Sequence, residues 1–272
     1  MPTRKSYGRR GRKPVTPKIY LINLARSPDR LGFMERQLKA MGLAFERIEA
    51  VDGKDLTPDR IHELAVPERV EEWPNLLTSS AIGCSLSHVK AYRKFLEDGG
   101  SAAIFMEDDI ELLEGFGAVA EGVADVLTPK ACALLYFHGA EKAFVREDAI
   151  ELNGDRRLHQ ALTPWGAYTT GAYILSRESA RSIAEFNSPV YTTADSWGVY
   201  CRDGILDGLW AVLPPVTAPA NFSSDIIYSR KGMIAREFER KTGLQLPAWL
   251  RRLAGSELKL RYKIVDEAAQ RA

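Results

Sequence analysis

The stretch Ser101-Ala102-Ala103-Ile104-Phe105-Met106-Glu107-Asp108-Asp109 constrains this chain more than any other. Small and apolar residues from Ala102 to Met106, preceded by the breaker pair Gly99-Gly100, predict a short strand buried on both faces. It runs directly into three carboxylates. Adjacent acids repel one another and lose hydration when a strand end is enclosed, so they need a compensating partner, and a divalent cation bound through oxygen supplies one. In an open α/β sheet the carboxyl ends of strands are where ligands collect. The competing reading is a solvated acidic loop in which Asp109 only caps the next turn.

The surrounding pattern predicts a sheet for that strand to sit in. Lys18–Leu24 reads as a buried strand, followed by Ser27-Pro28-Asp29-Arg30, a helix start with proline at the first helical position. Leu31, Met34, Leu38 and Met41 form its apolar face and Gly42 ends it. Such a strand, tight loop and helix aims free backbone amides at the sheet edge, where a phosphate or nucleotide is held, with Asn23 and Arg30 flanking the spot. A turn asparagine and a surface arginine are their ordinary roles. A second strand spans about 44–50. The longest helix runs from Ser79 or Ser80 to Asp98, with Lys90, Arg93, Lys94 and Glu97 in one narrow charged stripe, so most of its circumference is buried. His88 therefore falls in the interior or lines a pocket; pairing with a backbone carbonyl is the simpler alternative.

Further along, 116–127 reads as a helix and Ala131–Phe137 as a buried strand ending in His138-Gly139, a second polar strand end. Residues 141–163 look like an excursion with weak strand character. Gly171–Ser176 is a strand, a helix follows from about Glu178 to Phe186, Asp195-Ser196-Trp197 opens another short helix, and Leu209–Leu213 is a strand. Strands alternating with helices predict an α/β sandwich with a mainly parallel sheet. The expected organisation is a basic disordered arm at 1–17, a domain at 18–228 and a basic helical C-terminal extension at 229–272.

Four stretches together resemble the family 25 glycosyltransferases, which include lipopolysaccharide-decorating enzymes and collagen galactosyltransferases. They are Ile19–Arg30, Gly83-Cys84 to Ser87-His88, the strand closing in Glu107-Asp108-Asp109, and Thr170–Arg177 with Ala180. The resemblance implies a GT-A-like, Rossmann-type domain, a nucleotide-sugar donor such as a UDP-hexose, and Mn²⁺ or Mg²⁺ held by an acidic motif. That motif stands here as Glu107-Asp108-Asp109, which leaves open whether Glu107 or Asp108 partners Asp109. On this basis Asn23, Arg30, His88 and His138 are donor-site candidates, with His138 completing the metal shell or touching a phosphate. Inverting transfer needs a base for the acceptor hydroxyl. Asp195 is the candidate, with a helix cap as its other reading.

The 272 residues carry a formal net charge of +1, with cations concentrated in the arm and the C-terminal extension. No nucleic-acid recognition motif or aromatic stacking platform accompanies them, so nucleic acid is not an expected partner. Leu246–Ala254 and Leu258–Lys263 mix apolar residues, Trp249 and cations, a composition suited to an anionic membrane surface or to a docked helix. Three scattered cysteines suggest neither a disulfide framework nor a zinc spacing, and no run approaches the roughly 18 apolar residues of a membrane span. A cytoplasmic enzyme, peripheral on the inner membrane and acting on a glycan or glycolipid, is the resulting expectation.

Overall fold

The computed structural model describes residues 16–137, 142–165, 167–220, 222 and 262–267. His138, the arm through residue 15 and most of the C-terminal extension, including 246–261, lie outside these residues.

In chain order the elements are β1 (Lys18–Asn23), α1 (Pro28–Ala40), β2 (Phe45–Glu49), a 3₁₀ turn (Gly53–Asp55), α2 (Pro58–Leu64), α3 (Pro67–Glu72), α4 (Ser79–Asp98), β3 (Ala102–Glu107), β4 (Ile110–Leu112) and α5 (Phe116–Val126). There follow β5 (Ala131–Leu134), β6 (Lys142–Val145), β7 (Ile150–Glu151), β8 (Arg157–Gln160), β9 (Ala172–Ser176), α6 (Arg177–Phe186), α7 (Trp197–Arg202), β10 (Gly208–Leu213), β11 (Thr217–Pro219) and β12 (Tyr262–Val265).

Eight strands form the central sheet in the order β2-β1-β3-β9-β5-β10-β8-β7. β2, β1, β3, β5, β10 and β7 run one way, and β9 and β8 run against them. Both faces are covered, which is why the strands read as unbroken apolar runs. Tyr20, Ile22 and Phe105 pack with Tyr92 and Phe95 of α4 and Ile183 of α6 on one face. Ile19, Leu21, Ile104 and Met106 pack with Met34 and Leu38 of α1 and Val119 and Val123 of α5 on the other.

Two expectations change. The sheet is mostly parallel by strand direction, yet β9 pairs antiparallel with both β3 and β5, and the excursion contributes β7 and β8 to the sheet itself. Strand direction depends on how the chain returns, which a local apolar run does not encode. In the C-terminal extension, Tyr262–Val265 is a strand paired parallel with β6, not helix. The alternation of Tyr262 and Ile264 with Lys263 suits a half-exposed strand as well as it suits a cationic helix face.

Helix α4 brings His88 to the acidic strand end, and two glycines fix its position. A Cβ on Gly83 would lie 2.8 Å from the Gly53 nitrogen and the Val51 carbonyl oxygen, and a Cβ on Gly53 would lie 2.4 Å from the Ser79 carbonyl oxygen. One turn further along α4, Ser87 Oγ accepts the Val51 N–H at 2.8 Å and donates to the Gly83 carbonyl at 2.6 Å. The contact is backbone against backbone, so neither partner can yield to a methyl group. Gly83→Ala is therefore expected to cost about 1–3 kcal/mol through overpacking. Thermal unfolding checks this, and a melting temperature equal to that of the parent would show that the contact is not tight.

Candidate active site

β1 and β3 pair in register with Ile22 opposite Glu107, so the next residue of each chain, Asn23 and Asp108, emerges side by side beyond the sheet. Asn23 is buried, and its Nδ2 donates to Asp108 Oδ2 at 2.6 Å and to the Ser27 carbonyl at 3.1 Å. Its Oδ1 accepts from Arg47 Nε at 3.1 Å. Arg30, in the first turn of α1, donates to Asp108 Oδ1 at 3.1 Å and stands 3.7 Å from Asp109 Oδ2. Asp108 thus has an amide on one oxygen and a guanidinium on the other. Arg30 and Asp108 line a pocket of about 110 Å³ together with Cys84, Ser87 and His88 of α4, Glu107, Asp109, Arg26 and Asp52.

Burial raises Asp108 above the usual carboxylate range even though Asn23 and Arg30 oppose it. Asp109 is pushed up to about 7, first by burial and then by the charge of Glu107; Arg30 pulls it down and Asp108 pushes it up further. Burial works against ionisation of Glu107 as well, but the neighbouring His88 imidazole, the Thr170 hydroxyl and Arg30 outweigh it and hold Glu107 low. Carboxylates outnumber the cations that face them, and the deficit falls on Asp109.

His88 is buried and is not paired with a backbone carbonyl. Its Nδ1 lies 2.6 Å from the Tyr173 hydroxyl, which in turn lies 2.5 Å from the Tyr92 hydroxyl, and its Nε2 lies 3.4 Å from Glu107 Oε1. Thr170 Oγ1 donates to the same oxygen of Glu107. Asp195 does not line this pocket, but its charge, with those of Glu107 and Asp109, adds to burial in raising the Cys84 thiol. The N-cap position of α7 belongs to Ser196, and the Asp195 carboxylate accepts from Thr193 Oγ1 at 2.7 Å.

Sequence reasoning did not single out Arg47, Thr170, Tyr173 or Phe222. Arg47 is a lone cation in a short strand, and Tyr173 puts a hydroxyl into an otherwise apolar buried strand. A buried hydroxyl requires a partner, so Tyr173 was the readable signal. Thr170 reaches Glu107 only because β9 runs antiparallel, and the Phe222 ring lies 5.5 Å from the Arg30 guanidinium through a return of the chain that no local pattern announces.

The arrangement defines an α/β protein with an acidic pocket at the carboxyl ends of parallel strands. The sequence profile described as "Glycosyltransferase family 25 (LPS biosynthesis protein)" matches residues 16–197, and the chain belongs to that family. Among curated relatives, a "Glycosyltransferase 25 family member" of Anopheles gambiae is 26% identical over 226 residues, covering 76% of this chain and 37% of that protein. The "Inactive glycosyltransferase 25 family member 3" of Mus musculus is 28% identical over 171 residues, covering 61% of this chain and 28% of that protein. "Procollagen galactosyltransferase 1-A" of Xenopus laevis is 26% identical over 171 residues, with the same coverages of 61% and 28%. The chain thus spans between 28% and 37% of the length of these relatives. A solved glycosyltransferase involved in glycosylation of the major capsid of PBCV-1 overlaps 92% of this chain and 83% of its own, at 14% identity and a TM-score of 0.28, too low to carry an argument.

Asn23 joins β1, β2 and the acidic strand end through one amide group. Asn23→Ala takes one hydrogen bond from Asp108, which keeps Arg30, and one from Arg47, and is expected to cost about 1.5–3 kcal/mol, the range for hydrogen bonds to charged groups. Urea unfolding measures it; a loss below about 0.5 kcal/mol, the low end for an ordinary hydrogen bond, would show that water replaces the amide freely.

Proposed function

We propose that this chain is a glycosyltransferase with a GT-A-like domain that moves a hexose from a nucleoside diphosphate sugar, with UDP-hexose as the expected donor, to a saccharide acceptor. The observation that carries the reading is the convergence of Glu107, Asp108 and Asp109 on one pocket that also holds Arg30 from the first turn of α1. Mg²⁺ and Mn²⁺ favour oxygen ligands, and Mg²⁺ sites in particular use one or two carboxylates with substrate phosphates and water. The donor set fits such an ion: Asp109 and Glu107 would hold it, while Asp108 is occupied by Asn23 and Arg30. When bound, such an ion supplies Lewis-acid neutralisation of the leaving diphosphate.

The remaining work falls to the chain. Arg30 brings a guanidinium to the phosphates, and Asn23 fixes Asp108 so that Arg30 is aimed into the pocket. Asp195 takes the proton of the acceptor hydroxyl as that oxygen bonds to the anomeric carbon and the bond to the diphosphate oxygen breaks, giving inversion. Its surroundings suit an acceptor. The Trp165 ring lies against Gly198 of α7, where an added Cβ would come within 2.3 Å of it, and Trp165 and Tyr168 are 49% and 47% exposed. A flat amphipathic ring against α7, the helix that follows Asp195, offers a surface for a sugar ring. The family description favours a lipopolysaccharide core or O-chain acceptor, and the Xenopus laevis relative's name favours galactose. The Mus musculus relative, named inactive, motivates the other reading: donor binding without turnover.

Calorimetry with UDP-hexoses, with and without Mn²⁺, tests the reading. Asp109→Asn is expected to abolish the Mn²⁺-dependent part of donor affinity in a folded protein; unchanged affinity would remove Asp109 from the site. Asp195→Asn is expected to lower kcat by roughly 10²–10⁴ while donor affinity stays near that of the parent. A parent protein that binds donor but transfers nothing to any saccharide would favour the reading without turnover.

A further inference from the structure

One wall of the pocket carries donors that the glycosyl-transfer reading does not use. Cys84 and His88 stand one helical turn apart on α4 and face Glu107 at the end of β3. The Cys84 sulfur, a ring nitrogen of His88 and a carboxylate oxygen of Glu107 lie within 4.8 Å of one another, a convergence of three such donors that the triplet Glu107, Asp108 and Asp109 does not make among the described residues. His88 is 1% exposed, and its Nε2 has no hydrogen-bond partner among the described residues. The 3.4 Å separation from Glu107 Oε1 lacks hydrogen-bond geometry. A buried ring nitrogen without a partner, aimed at a thiol and a carboxylate, calls for a ligand.

We propose that Cys84, His88 and Glu107 bind a thiophilic divalent ion, of which Zn²⁺ is the chemical type. Sulfur, imidazole and carboxylate are the ligands zinc takes, and three protein ligands leave the fourth tetrahedral position to water or substrate. Adjacent ligand atoms around zinc stand about 3.3–3.6 Å apart given zinc's bond lengths. The nitrogen-to-oxygen separation of 3.4 Å already meets that, and the Cys84 sulfur stands within 4.8 Å of both. The other ring nitrogen is anchored as in metal-bound histidines: Nδ1 lies 2.6 Å from the Tyr173 hydroxyl, and the tautomer that carries its proton on Nδ1 would offer the Nε2 lone pair to the ion. The thiol gives its proton to solvent as the ion binds. Oxygen-seeking Mg²⁺ and Mn²⁺ would use Glu107 with Asp109, so the two kinds of ion share Glu107 and differ in whether Asp109 or the thiol and imidazole complete the set. A zinc ion here would tie α4 to the end of β3.

The test reads metal binding on the full chain without nucleotide sugar, and therefore stands apart from the question of donor. Titration with Co²⁺ under reducing conditions is expected to give a thiolate-to-cobalt charge-transfer absorption at one ion per chain, displaced by Zn²⁺. Zn²⁺ is expected to raise the melting temperature, since it binds the folded state. Cys84→Ser is expected to lose the absorption band and weaken Zn²⁺ binding by 100-fold or more, while Asp109→Asn keeps both. A parent protein with no thiolate band, or a Cys84→Ser variant that binds Zn²⁺ as tightly as the parent, would overturn the proposal. If UDP-hexose binding fails while the zinc band is present, the donor reading falls and the ion site remains.

Discussion

The structure turns on a buried carboxylate, Asp108, that cannot be left alone. A charge enclosed at a strand end is tolerable only with full hydrogen bonding. Asn23 meets it from the end of β1, and Arg30 meets it from the first turn of α1. That requirement sets the register in which β1 ends, the tightness of the loop into α1 and the orientation of Arg30. Glu107 and Asp109, its neighbours on either side, receive no comparable support from the same partners. Glu107 leans on α4 and on Thr170, and Asp109 is left with the excess charge. Three consecutive acids thus occupy three electrostatic situations.

The Gly83-Cys84 to Ser87-His88 stretch acquires a physical account in the same frame. Gly83 permits the close approach of α4 to the turn after β2, Ser87 holds the Val51 amide, and Cys84 and His88 face the pocket on the side this contact fixes. The spacing of four residues places each pair on one face of the helix. The helix needed a packing residue and a site residue in successive turns, and the order in which they occur is that of a close contact followed by a donor.

Much of this was legible in the sequence because the signals were local. β1, α1, α4 and β3 announced themselves through continuous apolar runs, a proline at the first helical turn and glycine stops, and α4 runs from Ser79 to Asp98 as its pattern indicates. The acids at the end of β3 were readable because a charged run following a buried strand has few solvation options. What escaped was non-local. The reversed direction of β9, the pairing of β12 with β6, the approach of Arg47 to Asn23 and the Tyr173–Tyr92 hydroxyl pair all depend on how distant segments meet. The choice between cap and other roles for Asp195 likewise rested on a one-residue difference in where α7 begins.

The antiparallel β9 has a further effect on the chain between it and β5. Because the two strands are neighbours running in opposite directions, the segment that connects them leaves and re-enters the sheet at one point, where the Leu135 and Tyr136 amides both donate to the Ala172 carbonyl at 3.0 Å. From that neck the chain runs out to β7 and β8, which pair at the far edge of the sheet beyond β10, and returns to β9. Lengthening a turn between such strands costs only about 0.6 kcal/mol per doubling. The turns on this excursion can therefore change in length while the neck keeps β9 beside the strand that carries the acids. A scaffold of this form separates the inheritance of the pocket from the inheritance of whatever is brought to it.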